Sequence, residues 1–389
     1  MNIVLFDDPL IRTSLLPLTF TRPVAEIRVG ILKIAEKWAQ HFEQVSYKTE
    51  DFLSKKYPRK STSDSVYVNG AVCPSEDTIK SIKTIQKGES LWQGETLIAS
   101  HDLSSLHQTN RKQINYDLVI IDKIWKIFKL NGAEIRSDFA QITEGRESCP
   151  INDPNTVIYN PENVFIEPGA TIKAAIINAE NGPIYIGKNV NIQEGAIIHG
   201  THAFCEGAVA NMGAKMRGDS TVGPYSKVGG EVSNSVIFGY SNKGHDGFLG
   251  NSILGEWCNL GADTNTSNLK NDYGDVKIWD YKKPGFAPTG EMFCGLIMGD
   301  HSKAGINTMF NTGTVVGVSS NIFGSGFPRN FIPSFAWGGA AGFSTYQLKK
   351  VFDVAPKVME RRNVIFDDIE KEILEAVFKL TAKNRIWES

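Results

Sequence analysis

The first residues of this chain that could do chemistry are charged side chains following a short apolar run. Asp7 and Asp8 come directly after Ile3-Val-Leu-Phe6, and Arg12 and Arg22 follow shortly afterwards. Carboxylates are ligands that Mg²⁺ prefers, and a guanidinium can bind two phosphate oxygens at once. These four residues are therefore candidates for a phosphate or Mg²⁺ site, although a purely structural role explains them equally well.

A second group of candidate residues lies in the segment Lys243-Gly-His245-Asp-Gly. A histidine titrates near neutral pH, so it suits a general base that takes a proton from an attacking amine. The same glycine-rich composition is also typical of a solvated turn. Taken alone, the segment favours the turn.

The composition excludes two function classes and singles out one segment of the chain. The 389 residues carry a net charge of −2, which leaves no basic surface for nucleic acid or for an anionic membrane. Of the 36 glycines, thirty lie between Gly169 and Gly342. The length predicts two or three units, and one of them follows rules different from its flanks.

Cysteine spacing and the start of the sequence predict a cytoplasmic protein. The five cysteines are widely spaced without a CxxC pair, which fits neither a disulfide framework nor a zinc site, and we expect no metal there. The N-terminus has no basic region before its apolar run, and no stretch approaches 18 apolar residues.

Residues 1–130 show the pattern of an α/β domain. Buried strands are predicted at 3–6, 66–68 and 118–121, because these are short apolar runs. Apolar residues from Ile27 to Phe42 recur at the spacing of one helix face, and a connecting helix is predicted to begin at Trp125. We assign 131–160 to a linker helix and loop.

From about Val164 the apolar residues recur every six positions. The longest run is Met298, Ala304, Phe310, Val316 and Ile322. A period of six is neither helical nor that of a single strand; it is the hexapeptide repeat of a parallel β-helix, in which each unit gives one short strand and one corner. The repeat predicts a β-helix over 161–342, of about eight coils at three units per coil.

The helical period returns after Gly342. Phe366, Ile369, Ile373 and Val377 lie at steps of three and four among charged residues. The pattern predicts an amphipathic helix within a C-terminal helical segment, 343–389. Such a segment would cap the end of the β-helix or pack on a neighbouring chain.

Three blocks of the repeat segment resemble the bifunctional N-acetylglucosamine-1-phosphate uridyltransferase/glucosamine-1-phosphate acetyltransferase family. Arg217-Gly-Asp-Ser-Thr-Val-Gly is similar to the family's Arg-Pro-Gly segment. Lys243-Gly-His245-Asp-Gly-Phe-Leu-Gly is similar to its Lys-Ala-Gly-His-x-x-Tyr-Leu-Gly segment. Asn259-Leu-Gly-Ala-Asp-Thr-Asn-Thr-Ser-Asn268 is similar to its Asn-Ile-Gly-Ala-Gly-Thr-x-Thr-x-Asn segment. The resemblance implies a nucleotidyltransferase-like α/β domain, a left-handed parallel β-helix and a helical cap.

The same resemblance implies a site and its ligands. His245 would be the catalytic base of acetyl transfer, with Arg217 on the sugar phosphate, Asn259 and Asn268 on the sugar or its amine, and Lys277 near the rim. Acetyl-CoA would be the acyl donor, a sugar phosphate or nucleotide sugar the acceptor, and the protein a homotrimer. Phe248 stands where the family has tyrosine, and a family lysine pair is absent, so the acceptor is expected to differ or acetyl transfer to be lost.

The N-terminal segment departs further from the family. The strand at 3–6 is followed by no glycine-rich phosphate loop, Val24 occupies a lysine position, and Ala71 stands where a strand normally ends in a metal-binding aspartate. Three functions remain open: an acyltransferase of sugar-nucleotide metabolism, a sugar-1-phosphate nucleotidylyltransferase with a divergent and Mg²⁺-dependent N-terminal site, and a non-catalytic sugar-nucleotide sensor or scaffold.

Overall fold

A computed structural model describes residues 1–388, and in it the chain forms two units. The first unit contains Met1–Arg28 and Leu32–Ile124. The second contains Val29–Ile31 and the rest of the described chain from Trp125 onward.

The first unit is built on one mixed sheet of six strands in the order β2-β1-β3-β5-β4-β6. Strand β1, which is apolar from Ile3 to Phe6, lies between β2 and β3 and runs parallel to both, so the carboxyl ends of these three strands share one edge. The strands are β1 Asn2–Phe6, β2 Gln44–Lys48, β3 Val66–Asn69, β4 Glu89–Gln93, β5 Thr96–Ser100 and β6 Asn110–Gln113. Its helices are α1 Pro9–Ser14, α2 Ile34–Ala39 and α3 Glu76–Thr84, with 3₁₀ turns at Leu18–Phe20, Val24–Glu26, Asp51–Leu53 and Leu106–Gln108.

Two local predictions for this unit were wrong in extent. The helix predicted over 27–42 is only α2, because residues 28 and 33 form an isolated bridge around Gly30, whose φ is +84°. The strand predicted at 118–121 is reduced to a single bridge between Ile120 and Val72. In both places an apolar run is buried in irregular backbone, since burial alone does not specify strand or helix.

The second unit is a parallel β-helix with three faces. The first face contains Val157–Tyr159, Ile176–Asn178, Ile197–His199, Lys215–Arg217, Glu231–Ser233 and Phe248–Gly250, with a further parallel pair at Asn265–Thr266 and Met309–Phe310. The second contains Val164–Ile166, Ile184–Ile186, His202–Phe204, Ser220–Val222, Val236–Gly239, Ile253–Glu256, Ile297–Met298, Val315–Val316 and Phe331–Ile332. The third contains Thr171–Ile172, Asn191–Ile192, Val209–Ala210, Lys227–Val228, Asn242–Lys243, Asn259–Leu260, Lys303–Ala304, Asn321–Ile322, Ala336–Gly339 and Gly342–Thr345.

The residues that repeat every six positions form the interior of this β-helix. Ile186, Ile192 and Ile198 are each fully buried, and so are Met298 and Val316. Burying an apolar side chain of this size contributes roughly 1.5–3 kcal/mol relative to exposing it, so a continuous apolar column stabilises the stacked coils. The second face has nine strands, which gives nine coils where the repeat predicted about eight. The fold class predicted from the sequence is confirmed.

One inserted hairpin and two helical segments adjoin the coils. An antiparallel hairpin, Lys277–Asp280 with Gly285–Pro288, leaves the β-helix between its sixth and seventh coils. Helices α4 Lys126–Lys129 and α5 Asn131–Thr143 precede the coils, and α6 Leu348–Glu360 and α7 Asp368–Leu380 follow them. Short 3₁₀ turns occur at Pro161–Asn163, Ala382–Asn384 and Ile386–Glu388.

The C-terminal helices lie along several coils rather than only over the end of the stack. Arg362, which follows α6, donates to the carbonyl of Tyr225 and to Asn242, in the fourth and fifth coils. Phe378 of α7 packs edge-on against Phe335, with ring centroids 4.9 Å apart. Over residues 1–388 no helix combines the length and apolarity needed to cross a membrane.

Candidate functional site

His245 lies in a four-residue corner of the β-helix between Asn242–Lys243 and Phe248–Gly250. Its side chain is exposed. The corner stacks on Gly229 and Gly230 of the preceding coil, which has only these two residues at the same place. A Cβ on Gly230 would come within 2.8 Å of the carbonyl oxygen of His245 and 2.7 Å of that of Gly247, so only glycine fits beneath the corner.

Lys243 supports this corner from inside the β-helix. The side chain is 0% exposed, and its Nζ donates to the carbonyl oxygens of His245 at 2.6 Å and of Asp246 at 3.1 Å. Burial lowers the pKa of Lys243 to about 8, although the carboxylates of Asp246 and Asp263 oppose that change. The sequence analysis did not identify this role of Lys243. It could have been found by aligning the coils, because Lys243 then falls in register with the interior residue Val228.

Arg217 and Phe248 lie on the first face, on strands that flank the strand of Glu231. Arg217 donates from Nε to Glu231 Oε1 at 2.7 Å, and its side chain is 61% exposed. Glu231 is paired in register with Phe248. The structure therefore brings the predicted phosphate-binding arginine and the predicted substrate-facing phenylalanine to one surface, next to the His245 corner.

Asn268 adjoins the same surface. Its Nδ2 donates to Asn251 Oδ1 at 2.8 Å. A Cβ on Gly250 would collide with both the Phe248 ring and the Asn268 amide, so these two side chains meet above Gly250. An amide and an aromatic ring side by side can bind a polar, ring-shaped ligand by hydrogen bonding and stacking.

Two predicted substrate residues lie elsewhere in the second unit. Asn259 is on the third face, in register with Asn242 and Lys303. Lys277 begins the inserted hairpin and lines a cavity of about 1260 Å³. The structure therefore does not place Asn259 or Lys277 with Arg217, His245 and Phe248 in a single chain.

The cavity beside Lys277 combines positive charge with aromatic surface. Trp279 stacks on Phe331 with ring centroids 4.0 Å apart. The charged and aromatic residues of its wall are Lys270, Asp275, Lys277, Arg329, Lys383, Trp279, Phe286, Phe331, Phe343 and Trp387. Aromatic faces stack on nucleobases and cations bind phosphates, so this wall suits a nucleotide-like ligand.

The acidic pair of the first unit serves the protein's own structure. Asp7 Oδ2 accepts from Arg12 Nη1 at 3.0 Å and from Thr49 Oγ1 at 2.6 Å, while its Oδ1 accepts from the backbone N–H of Val24 at 2.7 Å. Burial raises the pKa of Asp7, against the opposing effect of Arg12. Asp8 caps α1 by accepting from the N–H groups of Leu10 and Ile11.

The arginines of this unit are similarly engaged. Arg12 is 7% exposed and also donates to the carbonyl oxygen of Arg22 at 3.1 Å. Arg22 is 3% exposed. Because protein donors already occupy both oxygens of Asp7 and Oδ1 of Asp8, the acidic pair is a poor fit to a Mg²⁺ site. Within residues 1–388, no three His, Cys, Asp or Glu side chains converge as a set that could hold a metal ion.

The first part of the chain is similar to one known protein family. Residues 3–147 match the sugar nucleotidyl transferase family. "Bifunctional protein GlmU" of Methanocaldococcus jannaschii is 38% identical over 87 residues, 22% of this chain and 21% of that protein. "Bifunctional sugar-1-phosphate nucleotidylyltransferase/acetyltransferase" of Sulfurisphaera tokodaii is 32% identical over 93 residues, 24% of this chain and 23% of that protein. The chain spans about a fifth of the length of these curated relatives.

Two solved structures match this chain only at low similarity. UDP-N-acetylglucosamine acyltransferase of Francisella novicida is 12% identical, with a TM-score of 0.27, over 60% of this chain and 84% of that chain. The polySia-specific acetyltransferase NeuO is 13% identical, also with a TM-score of 0.27, over 50% of this chain and 85% of that chain. Residues 3–147 are thus similar to the sugar nucleotidyl transferase family, and a parallel β-helix follows them in the chain.

Proposed function

We propose that this protein transfers an acetyl group from acetyl-CoA to the amine of an amino-sugar phosphate or nucleotide sugar, with His245 as the general base. The observation that supports this most directly is the exposed His245 on its corner, beside the surface that carries Arg217, Phe248 and Asn268. The two relatives named above have bifunctional names, and one of those names includes acetyltransferase.

The proposed step balances as a simple acyl transfer. The acceptor amine attacks the thioester carbonyl, and its proton passes to the imidazole of His245. The C–N bond forms as the C–S bond breaks, and the imidazolium returns the proton to the leaving thiolate. The products are the N-acetyl sugar and the free thiol of CoA. A base whose pKa lies near the working pH is the most efficient for this exchange.

The remaining candidates receive roles by charge and position. Arg217 binds the phosphate of the acceptor. The carboxylate of Glu231, which pairs with Arg217, competes with that phosphate for the guanidinium group. Asn268 hydrogen-bonds the sugar, and Phe248 packs against its ring. The cavity that contains Lys277 binds the nucleotide part of acetyl-CoA, through the cations and aromatic rings of its wall. Asn259 joins the site only if a second copy of the chain supplies it.

The assembly that goes with this function is a homotrimer. Val157, Ile176 and Ile197 form a ladder in register on the first face, and these side chains are 46%, 41% and 44% exposed. An exposed apolar stripe of this kind favours a protein partner, and a second copy of the same β-helix offers a matching stripe. All five cysteines are free thiols, which fits the cytoplasm.

The function is tested by following thiol release from acetyl-CoA with a panel of amino-sugar phosphates and nucleotide sugars. His245→Ala should lower kcat by about 10²–10⁴-fold, the usual contribution of a positioned general base. His107→Ala is the matched control, because His107 is also an exposed histidine but belongs to the first unit. Equal rates for His245→Ala and the parent would remove His245 from the mechanism.

A second candidate function is sugar-1-phosphate nucleotidylyl transfer, which the family match over residues 3–147 favours. Its test is pyrophosphate release from each of the four nucleoside triphosphates with sugar-1-phosphates and Mg²⁺. Because Asp7 and Asp8 are already hydrogen-bonded, we expect this activity to be weaker than acetyl transfer. Sustained pyrophosphate release with no thiol release would reverse the ranking, and neither activity would favour a sugar-nucleotide sensor.

A further inference from the structure

Lys243 occupies a position that is apolar in the neighbouring coils. The inward-facing residues of the third face are Ile172, Ile192, Ala210, Val228, Leu260, Ala304 and Ile322, and Lys243 pairs in register with Val228. A lysine at this position costs free energy, because a charge is removed from water. A favourable contact of comparable size must therefore hold its ammonium group.

That contact is with the corner that carries His245. The Nζ of Lys243 donates to the carbonyl oxygens of both His245 and Asp246. Hydrogen bonds from a charged donor are stronger than those between neutral groups. The ammonium group is thus bound to the backbone of the proposed base rather than to a carboxylate.

The corner needs such support because the coil beneath it is short. The corner of residues 211–214 and that of residues 244–247 each have four residues, but Gly229–Gly230 between them has two. Asn211 Nδ2 reaches across this gap to the carbonyl oxygen of Gly244 at 2.7 Å.

Different donors bind the backbone carbonyl groups of the corner. The N–H of Glu231 donates to the carbonyl of Gly247 at 3.1 Å, and the N–H of Asp263 donates to that of Asp246 at 3.1 Å. The carbonyl of His245 itself accepts from Lys243. The contact from the interior therefore acts at the residue whose side chain does the proposed chemistry.

We infer that Lys243 is a positioning residue, which holds the 244–247 corner, and with it the imidazole of His245, in a fixed place from inside the β-helix. The use of that position in acetyl transfer rests on the proposed function; the ordering of the corner does not. The residue is fully buried and contacts no substrate, so its effect passes through His245.

The test compares Lys243→Met with Lys303→Met in the full-length chain. Methionine has nearly the volume of lysine and matches the apolar interior, so the first variant should fold. Lys303 is the matched control because its Nζ also donates to a backbone carbonyl, that of His301 at 2.9 Å, but in another corner. Hydrogen exchange of the amides of residues 244–248 reports on the corner without any substrate.

Lys243→Met should speed exchange in residues 244–248 by about tenfold or more, and should lower kcat by about tenfold with the KM for acetyl-CoA little changed. Lys303→Met should change none of these. Parent-like exchange in Lys243→Met would overturn the inference. If Lys243→Met fails to fold, Lys243→Gln, whose amide keeps a donor, should give intermediate exchange, and parent-like exchange there counts against the inference. If the parent has no acetyl transfer, the proposed function fails while exchange still decides the role of Lys243.

Discussion

Arg217 illustrates how one ion pair can set the affinity for a substrate. Its guanidinium is bound to Glu231 on an exposed surface, where such pairs contribute about 0–1 kcal/mol to stability. A phosphate that replaces the carboxylate would gain a bidentate, charge-assisted contact. The pair is therefore weak enough to open for a ligand.

Two substitutions at this pair should act in opposite directions on the acceptor. Arg217→Ala should raise the acceptor KM by about tenfold to a hundredfold, because a hydrogen bond to a charged group contributes about 1.5–3 kcal/mol. Glu231→Gln should lower the same KM, since the competing carboxylate is gone. Steady-state kinetics with a phosphorylated and an unphosphorylated acceptor measure both effects, and equal changes for the two acceptors would rule out phosphate binding at Arg217.

His202 is a residue whose protonation state bears on stability. It is 0% exposed on the second face, and its ring stacks on Phe204 with centroids 6.1 Å apart. Burial lowers the pKa of His202 to about 4 from an ordinary value of 6.5. The folded state therefore keeps this imidazole neutral where the unfolded chain would bind a proton.

The stability lost on acidification should depend on His202. The unfolded chain binds the extra proton below pH 6.5, so this contribution is complete above that pH and declines as the pH falls toward about 4. Between pH 7 and pH 5 the loss is about 2 kcal/mol, at 1.36 kcal/mol for each pKa unit. His202→Phe should remove this part of the pH dependence in urea unfolding, whereas His107→Phe, at an exposed site of the first unit, should keep it. Equal pH dependence in the two variants would refute the assignment.

Among the structural elements, the corners of the β-helix determine which side chains project from the coils. Most corners between the third and first faces have four residues, but Gly229–Gly230 has two, and the His245 corner is the next one along. The glycines are required there because the next coil's backbone approaches closely. Gly230 has a φ of +66° in addition.

Gly230→Ala should therefore cost more than the same change at an open corner. Gly213 has nearly the same φ, +70°, but a Cβ there meets nothing within 4 Å. Gly213→Ala should cost about 1 kcal/mol from backbone conformation alone. Gly230→Ala should cost about 1–3 kcal/mol more, because its Cβ overlaps the backbone of residues 245–247. Chemical denaturation measures the free energy of unfolding of both variants. Equal decreases would show that the close backbone approach at Gly230 does not affect stability.

The sequence predicted the elements whose pattern is repeated and missed those that rest on single contacts. The period of six identified the interior column from Ile166 to Ile322 because every coil buries the same position. The short strand β1 was found for the same reason, as a continuous apolar run. The helix over 27–42 was overextended because the apolar residues before α2 are buried in irregular backbone.

Only those site residues that neighbouring coils bring side by side could be predicted to share a surface. Arg217 and Phe248 share a surface because their strands flank that of Glu231, a relation that follows once the coils are counted. The carboxylate of Asp7 accepts hydrogen bonds from Thr49 and Val24, which are distant from it in sequence. The sequence does not show these contacts, so both carboxylate oxygens of Asp7 were interpreted as available to Mg²⁺. Lys243 was missed because its interior position shows only when the coils are placed in register.

At the scale of the whole molecule, the exposed ladder of Val157, Ile176 and Ile197 bears on the assembly. Ile176 lies at the middle of the ladder, in register with both others. Ile176→Lys should convert the proposed trimer to a monomer, because a lysine cannot be buried in an apolar interface without a partner. Leu10→Lys, at an exposed apolar side chain of the first unit, is the control that should leave the trimer intact. Sedimentation velocity decides, and a parent protein that is monomeric at micromolar concentration would contradict the trimer.

A crystal structure of the protein with CoA and an amino-sugar nucleotide decides whether the His245 corner performs acyl transfer. We expect the acceptor amine within hydrogen-bonding distance of the His245 imidazole, its phosphate on Arg217, and the nucleotide part of CoA in the cavity beside Lys277. An acceptor bound elsewhere, with His245 still facing solvent, would contradict the claim.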